Sequence, residues 1–185
     1  MDKRAALSIH FFRGVTMSVS MYDASTPVFL HGLSVLSAEL KKAQAHADAN
    51  GIAHADVLSG RLAPDMLTLA SQVQRASDTS KSSIERLTGV AAPKFPDTET
   101  TFEQLQERIA NTVAYIGGVG AEHFTGCAQR TIEMKFGPLS PVFTGDKYLL
   151  QFGLPNFFFH LTTAHGILRN LGVKVGKLDY LGIAQ

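Results

Sequence analysis

Apolar residues return at intervals of three and four along four long stretches of the chain, the repeat of helices that bury one face. The first stretch runs from about Pro27 to Ala49, with Phe29, Leu33, Leu36, Leu40 and Ala43 as its stripe. Thr26 is placed to cap it, Pro27 suits a first helical position whose N–H would be unpaired anyway, and Gly51 stops it. The second is expected from about Pro64 to Leu87, with Met66, Leu69, Val73, Ala76, Ser80, Ile84 and Leu87 facing inward and Gly89 behind. A short helical turn around Asp56 to Ser59 links the two. After a loop punctuated by two prolines, Thr100 and Glu103 have the spacing of a capping box, so a third helix should begin there and end near Gly117-Gly118. Phe102, Leu105, Ile109, Thr112 and Ile116 mark its inner face.

The period then changes. Thr131 to Phe136 alternates polar and apolar, Gly137-Pro138-Leu139-Ser140 reads as a turn, and Pro141 to Thr144 returns, which predicts a small β-hairpin. A fourth helix should start near Gly145-Asp146 and end before Gly172, kinked or divided at Pro155, which removes one backbone donor. The pattern predicts a mainly α protein: a four-helix bundle with a β-hairpin inserted before a kinked last helix. Residues 17–185 form one domain in this reading. Residues 1–16, too broken by His10 and Arg13 for a secretory signal, are read as a disordered N-terminal extension.

Composition narrows the function. With 185 residues and 45% apolar content the chain has enough material for a real core. Its net charge is +1 and no stretch concentrates Lys and Arg, so no nucleic-acid partner is expected. No uncharged apolar run approaches the roughly 20 residues of a membrane span, so no membrane partner is expected either. Cys127 is the single cysteine, which rules out an intrachain disulfide and a cysteine-rich metal site and suits a cytoplasmic location. A thiolate activated by His123 would lack an orienting third group, so Cys127 is read as an ordinary free cysteine.

The candidate chemistry lies on two helix faces. Phe152, Asn156, His160, Thr163 and Ile167 step by four, four, three and four, so His160 sits mid-face among small polar groups. On the second helix, Asp65, Leu69, Gln72, Ala76 and Thr79 set a polar line beside the apolar stripe. If both faces look inward, Asp65, Gln72, Asn156, His160 and Thr163 are the candidate ligand pocket. Buried polar groups cost on the order of 1–3 kcal/mol each unless hydrogen-bonded, so such a cluster must be satisfied internally or used by a ligand. Each residue also has a plain structural role open to it. His160 can be a satisfied core histidine, Asp65 a carboxylate at the positive end of a helix, and Gln72 and Asn156 packing amides. Phe157, Phe158 and Phe159 cannot all face one way, so at least one should meet the hairpin or a neighbouring subunit.

The stretches Ser20 to Asp23, Arg61 to Met66, Asp97 to Phe102, Tyr148 to Leu150 and Leu154 to His160 resemble an uncharacterised bacterial family, DUF1993. That family is similar to the DinB/YfiT-like superfamily of four-helix bundles. The resemblance implies a bundle that commonly dimerises, and relatives in which three histidines hold a divalent metal, some of them thiol-dependent transferases or isomerases. It implies one histidine on the second helix and two, four residues apart, on the fourth. Here His160 matches one of that pair, Ala164 stands four residues later, His165 faces elsewhere, and the second helix offers no histidine. No cofactor is therefore expected. A rebuilt metal site of His31, Asp65 and His160 stays open as the alternative. The expected function is a non-catalytic or small-ligand-binding homodimer with a degenerate metal site; the alternative is a small-molecule transferase or isomerase with His160 as acid/base. No catalytic residue is assigned beyond the candidate His160, and the small molecule is not specified.

Overall fold

The computed structural model describes residues 19–183; the expected N-terminal extension at 1–16 lies outside them. Helix α1 spans Thr26–Asn50, α2 His54–Leu58, α3 Leu69–Thr88 and α4 Phe102–Gly117. Two short 3₁₀ turns, Ala121–Phe124 and Cys127–Gln129, lead into the hairpin of β1 (Thr131–Glu133) and β2 (Val142–Thr144). The chain closes with α5 (Gly145–Tyr148), a π-helical turn at Leu149–Gly153, α6 (Leu154–Asn170) and a last turn, α7 (Lys177–Tyr180). The four bundle members are α1, α3, α4 and the composite α5–α6 helix. They pack as a ring, α1 on α4, α4 on α3, α3 on α6 and α6 on α1. Phe29, Leu33, Leu40, Leu69, Ile84, Leu105, Ile116 and Phe157 are among the fully buried side chains of one core.

Several local expectations are corrected. The α1 cap is Ser25, whose hydroxyl is spent on the Met21 carbonyl at 2.6 Å, while Thr26 is already helical and its buried Oγ1 has no partner among the described residues. Gly51 does end the helix in the left-handed region, at φ 64°, as Gly89 ends α3 at φ 82°. Helix α3 starts five residues later than expected. Thr68, not Pro64, opens it by accepting from the Ser71 N–H at 3.2 Å. The Leu69 N–H reaches instead to Gly60 O at 2.8 Å, and Ala63 to Met66 forms a turn. The α4 capping box is shifted by one, to Thr101 and Gln104.

The hairpin pairs Thr131 with Thr144, Ile132 with Phe143 and Glu133 with Val142. Its tip is tied by reciprocal bonds between Phe136 and Leu139, around Gly137 at φ 56°. Pro141 stands just outside β2 and offers its carbonyl to Met134 N. Pro155 has the local effect expected of it. It cannot donate to the carbonyl four residues back, and the turn before it widens to π-helical spacing. Phe143 and Phe136 pack against Phe152 from this turn, at 6.3 and 5.4 Å between ring centres. The hairpin is thus a lid of aromatic rings on the junction of α5 and α6.

Candidate functional site

The pairing of α3 with α6 brings Gln72 opposite His160. His160 Nδ1 lies 2.8 Å from Gln72 Oε1, and Gln72 Nε2 donates to Leu67 O at 3.3 Å. Because a carbonyl oxygen only accepts, the proton sits on Nδ1, and Nε2 is left with its lone pair. One turn along, Asn156 Nδ2 donates to Thr79 Oγ1 at 3.0 Å. His160 and Asn156 line a cleft of about 200 Å³ that also takes in Arg75, Asp78, Thr79, Ser82, Arg86, Met134, Phe136, Tyr148 and Phe152. At its far end the Tyr148 hydroxyl lies 3.1 Å from Ser83 Oγ and accepts from Arg86 Nη1 at 3.2 Å.

The other expected members do not join. Asp65 is exposed in the turn before α3, because the helix begins at Leu69 rather than Pro64. Thr163 is buried but spends its hydroxyl on Phe159 O, 2.7 Å away on its own helix. His31 is exposed on α1, where Gly182 of the C-terminal segment packs against its ring. The set His31, Asp65 and His160 is therefore not assembled. Among the described residues no group of three His, Cys, Asp or Glu side chains stands close enough to hold a metal. The residues where the resemblance implies a metal do not fit one. The α3 ligand is a neutral amide, which already holds one nitrogen of the only imidazole present, and Ala164 has no donor.

Burial, reinforced by the positive charge of Arg75, holds the His160 imidazole below its ordinary pKa of 6.5. The linkage has a definite sign. Between the two pKa values the unfolded chain binds the proton and the folded chain does not, so stability falls as pH drops below about 6.5 and levels off once folded His160 is also protonated. Urea midpoints at about pH 7.5 and about pH 5.5 should therefore differ more in the wild type than in His160→Phe. An equal difference in both proteins would remove His160 as the source.

Sequence reasoning missed a second pair, a buried carboxylate against a half-buried histidine. Glu39 of α1 is 2% exposed and its Oε1 lies 2.6 Å from His165 Nδ1 on α6. Burial pushes the Glu39 carboxyl up, against the hydrogen bond and charge of His165. Helix α7 covers it: Tyr180 stacks edge-on against His165, its hydroxyl lies 2.9 Å from Thr162 Oγ1, and Lys42 pairs with Asp179. The signal was present, since Glu39 falls between Leu36 and Leu40 in the apolar stripe. Cys127 is buried and its thiol is pushed up by that burial, which makes it a poor nucleophile.

Fold and cleft together describe a helical bundle with a polar cleft between α3, α6 and an inserted hairpin. The family described as a domain of unknown function (DUF1993) matches residues 21–181, and the chain belongs to that family. It is also similar to the crystal structure of a DinB family member protein from Shewanella denitrificans. That protein is 40% identical, with a TM-score of 0.81, over 87% of this chain and 91% of the other. No curated protein matches. Among the described residues no helix is long and apolar enough to cross a membrane.

Proposed function

We propose that this DinB-like protein is a non-catalytic, small-ligand-binding homodimer of the cytoplasm whose metal site has degenerated. The observation that carries this reading is the His160–Gln72 pair. Where the superfamily resemblance implies imidazoles around an ion, this chain ties its one imidazole to an amide and turns it toward a cleft. The hydrogen bond answers Nδ1 and leaves Nε2 for a ligand. A thermal-shift screen of small molecules on wild type and His160→Phe tests it. At least one compound should raise the wild-type Tm and leave the variant unmoved. A screen in which every hit moves both proteins equally would contradict the reading.

Dimerisation is supported by the outer face of the composite fourth helix. Leu150 and Phe158 are exposed there, with Leu154 partly so, at four-residue steps that align on one side, and the exposed Phe159 adjoins them. Phe159→Glu should lower the sedimentation coefficient to that of a monomer; a wild type that is monomeric across micromolar concentrations would contradict a homodimer.

A second reading, a small-molecule transferase or isomerase with His160 as acid/base, has one observation in its favour. The imidazole is neutral near pH 7, fixed in one tautomer, and lines a cleft. It lacks a second group of matched acidity: the cleft's one carboxylate, Asp78, is taken by Arg108 and Lys81 at 2.7 and 3.0 Å. Non-catalytic binding therefore takes precedence.

A further inference from the structure

The charged residues that line the cleft are Arg75, Asp78 and Arg86, and they are not equally committed. Asp78 answers Arg108 and Lys81 and lies 3.5 Å from Arg75. Arg75 is paired with Asp97 as well. Arg86 is half-buried and makes no salt bridge among the described residues. One of its N–H groups goes to the Tyr148 hydroxyl, and its guanidinium lies over the Tyr148 ring at 5.8 Å. The remaining donors of the fork have no acceptor in these contacts. A guanidinium out of full solvent with unspent donors favours an anion, and its planar fork matches the two oxygens of a carboxylate.

The apolar lining of the cleft is mostly aromatic. Phe136 and Phe152 lie 5.4 Å apart and Tyr148 and Phe152 5.7 Å apart, with Met134 beside them. Phe136 is nevertheless 42% exposed, a large apolar surface at the mouth of a polar site. Its volume of about 200 Å³ is below the range of drug-sized sites, roughly 300–1,000 Å³.

Resting on the reading of this cleft as a ligand site, we propose that its ligand is a small carboxylate with an apolar, ring-sized body. The carboxylate is received by Arg86 beside Tyr148, and the body lies on Phe152 and Phe136. One uncommitted guanidinium matches a monoanion better than a phosphate dianion, which usually gathers several cations. A neutral amide of the same shape would turn its NH₂ toward donors that accept nothing, which separates charge and hydrogen bonding from mere fit.

Calorimetric titration of the full chain with benzoate, its neutral isostere benzamide and inorganic phosphate tests this. Benzoate should bind at least about tenfold more tightly than benzamide, the scale of one charge-assisted contact. Arg86→Met should abolish that preference, and Arg86→Lys, which keeps the charge at the C-terminal end of α3 but loses the fork, should keep only part of it. Phe136→Ser, on the exposed hairpin, should weaken both aromatic probes alike and serves if the Arg86 variants fold poorly; unchanged affinity there contradicts the proposal. Equal binding of benzoate and benzamide, a preference that survives Arg86→Met, or phosphate displacing benzoate at equal concentration would each overturn it. Those outcomes leave the cleft standing as a ligand site if the screen yields a His160-dependent neutral compound. A screen without any His160-dependent hit removes the reading beneath it.

Discussion

Gly145→Ala should be the most damaging single methyl in this protein, costing at least about 3 kcal/mol or preventing folding. Gly145 is the first residue of α5, and the turn Cys127–Gln129 packs directly on it. A methyl there would fall inside the contact shell of the Cys127 carbonyl oxygen, 3.0 Å from the carbonyl carbon and 3.3 Å from Leu87 Cδ2. The obstacle is backbone and cannot rotate away, so either α5 or the 3₁₀ turn must move, and with them the hairpin that walls the cleft. Overpacking in general costs about 1–3 kcal/mol, and this case has no flexible side chain to absorb it. Against the roughly 5–15 kcal/mol that holds a typical domain, the loss is large. Gly117→Ala is the control. Among the described residues nothing beyond its own helical turn stands within 4 Å of its would-be methyl, and its φ is not positive, so it should be neutral or mildly stabilising. Urea unfolding of both proteins measures the contrast; a Gly145→Ala protein as stable as the wild type would refute this packing.

Arg108→Met should cost about 3 kcal/mol, the lower end of what removing one partner from a buried ion pair costs. The Arg108 side chain is 1% exposed, yet it joins three separate pieces of chain. Its guanidinium meets Asp78 of α3 at 2.7 Å, Glu99 at 2.8 Å and Asp97 at 3.0 Å, and donates to Pro96 O at 3.2 Å. Its Nε donates to Ser77 Oγ at 3.2 Å, and that hydroxyl lies 2.8 Å from Thr112 Oγ1. Phe95 stacks over it at 5.4 Å. The proline-rich loop before α4 is thus pinned to the bundle by one cation. Methionine fills the volume but leaves three carboxylates without it. Asp97 and Asp78 reach water, which discounts the cost, whereas Glu99 is nearly enclosed. Burial raises the Glu99 carboxyl, but hydrogen bonds from Arg108, its own backbone and Gln74 win and hold it below the ordinary range. Its contribution is therefore present above about pH 4.5 and lost as pH falls through the lower folded value, so Arg108→Met should also flatten the acid limb of the stability curve. Chemical denaturation at neutral and acid pH reads both effects, and a loss below about 1 kcal/mol would show that water already satisfies the carboxylates.

Much of this architecture was legible because three-and-four spacing is local. The stripes of α1 and α4 and the left-handed glycines that stop α1 and α3 need no knowledge of partners. The start of α3 was misread for a physical reason. Pro64 and Asp65 look like a helix opening, but the Leu69 N–H finds its acceptor at Gly60, so residues 61–68 remain a loop and Asp65 stays in solvent. The site was half legible. Gln72 and His160 declare their faces by spacing, and α3–α6 packing brings them together. Arg86, Tyr148 and Phe136 could not be read, because the hairpin carries Phe136 to the cleft and the π-helical turn stands between Tyr148 and α6. Arg108 carried an unused signal: between Leu105 and Ile109 it lies on the inner face of α4, where an arginine must find anions. The motif Asp97 to Phe102 supplies two of them.

His160 is proposed to serve a ligand and not a metal. The thermal-shift screen, repeated on untagged protein before and after exhaustive chelation, tests it most directly. The His160-dependent shift should be the same before and after chelation and absent from His160→Phe. A shift that disappears on chelation and returns with one equivalent of zinc or nickel per chain would contradict it.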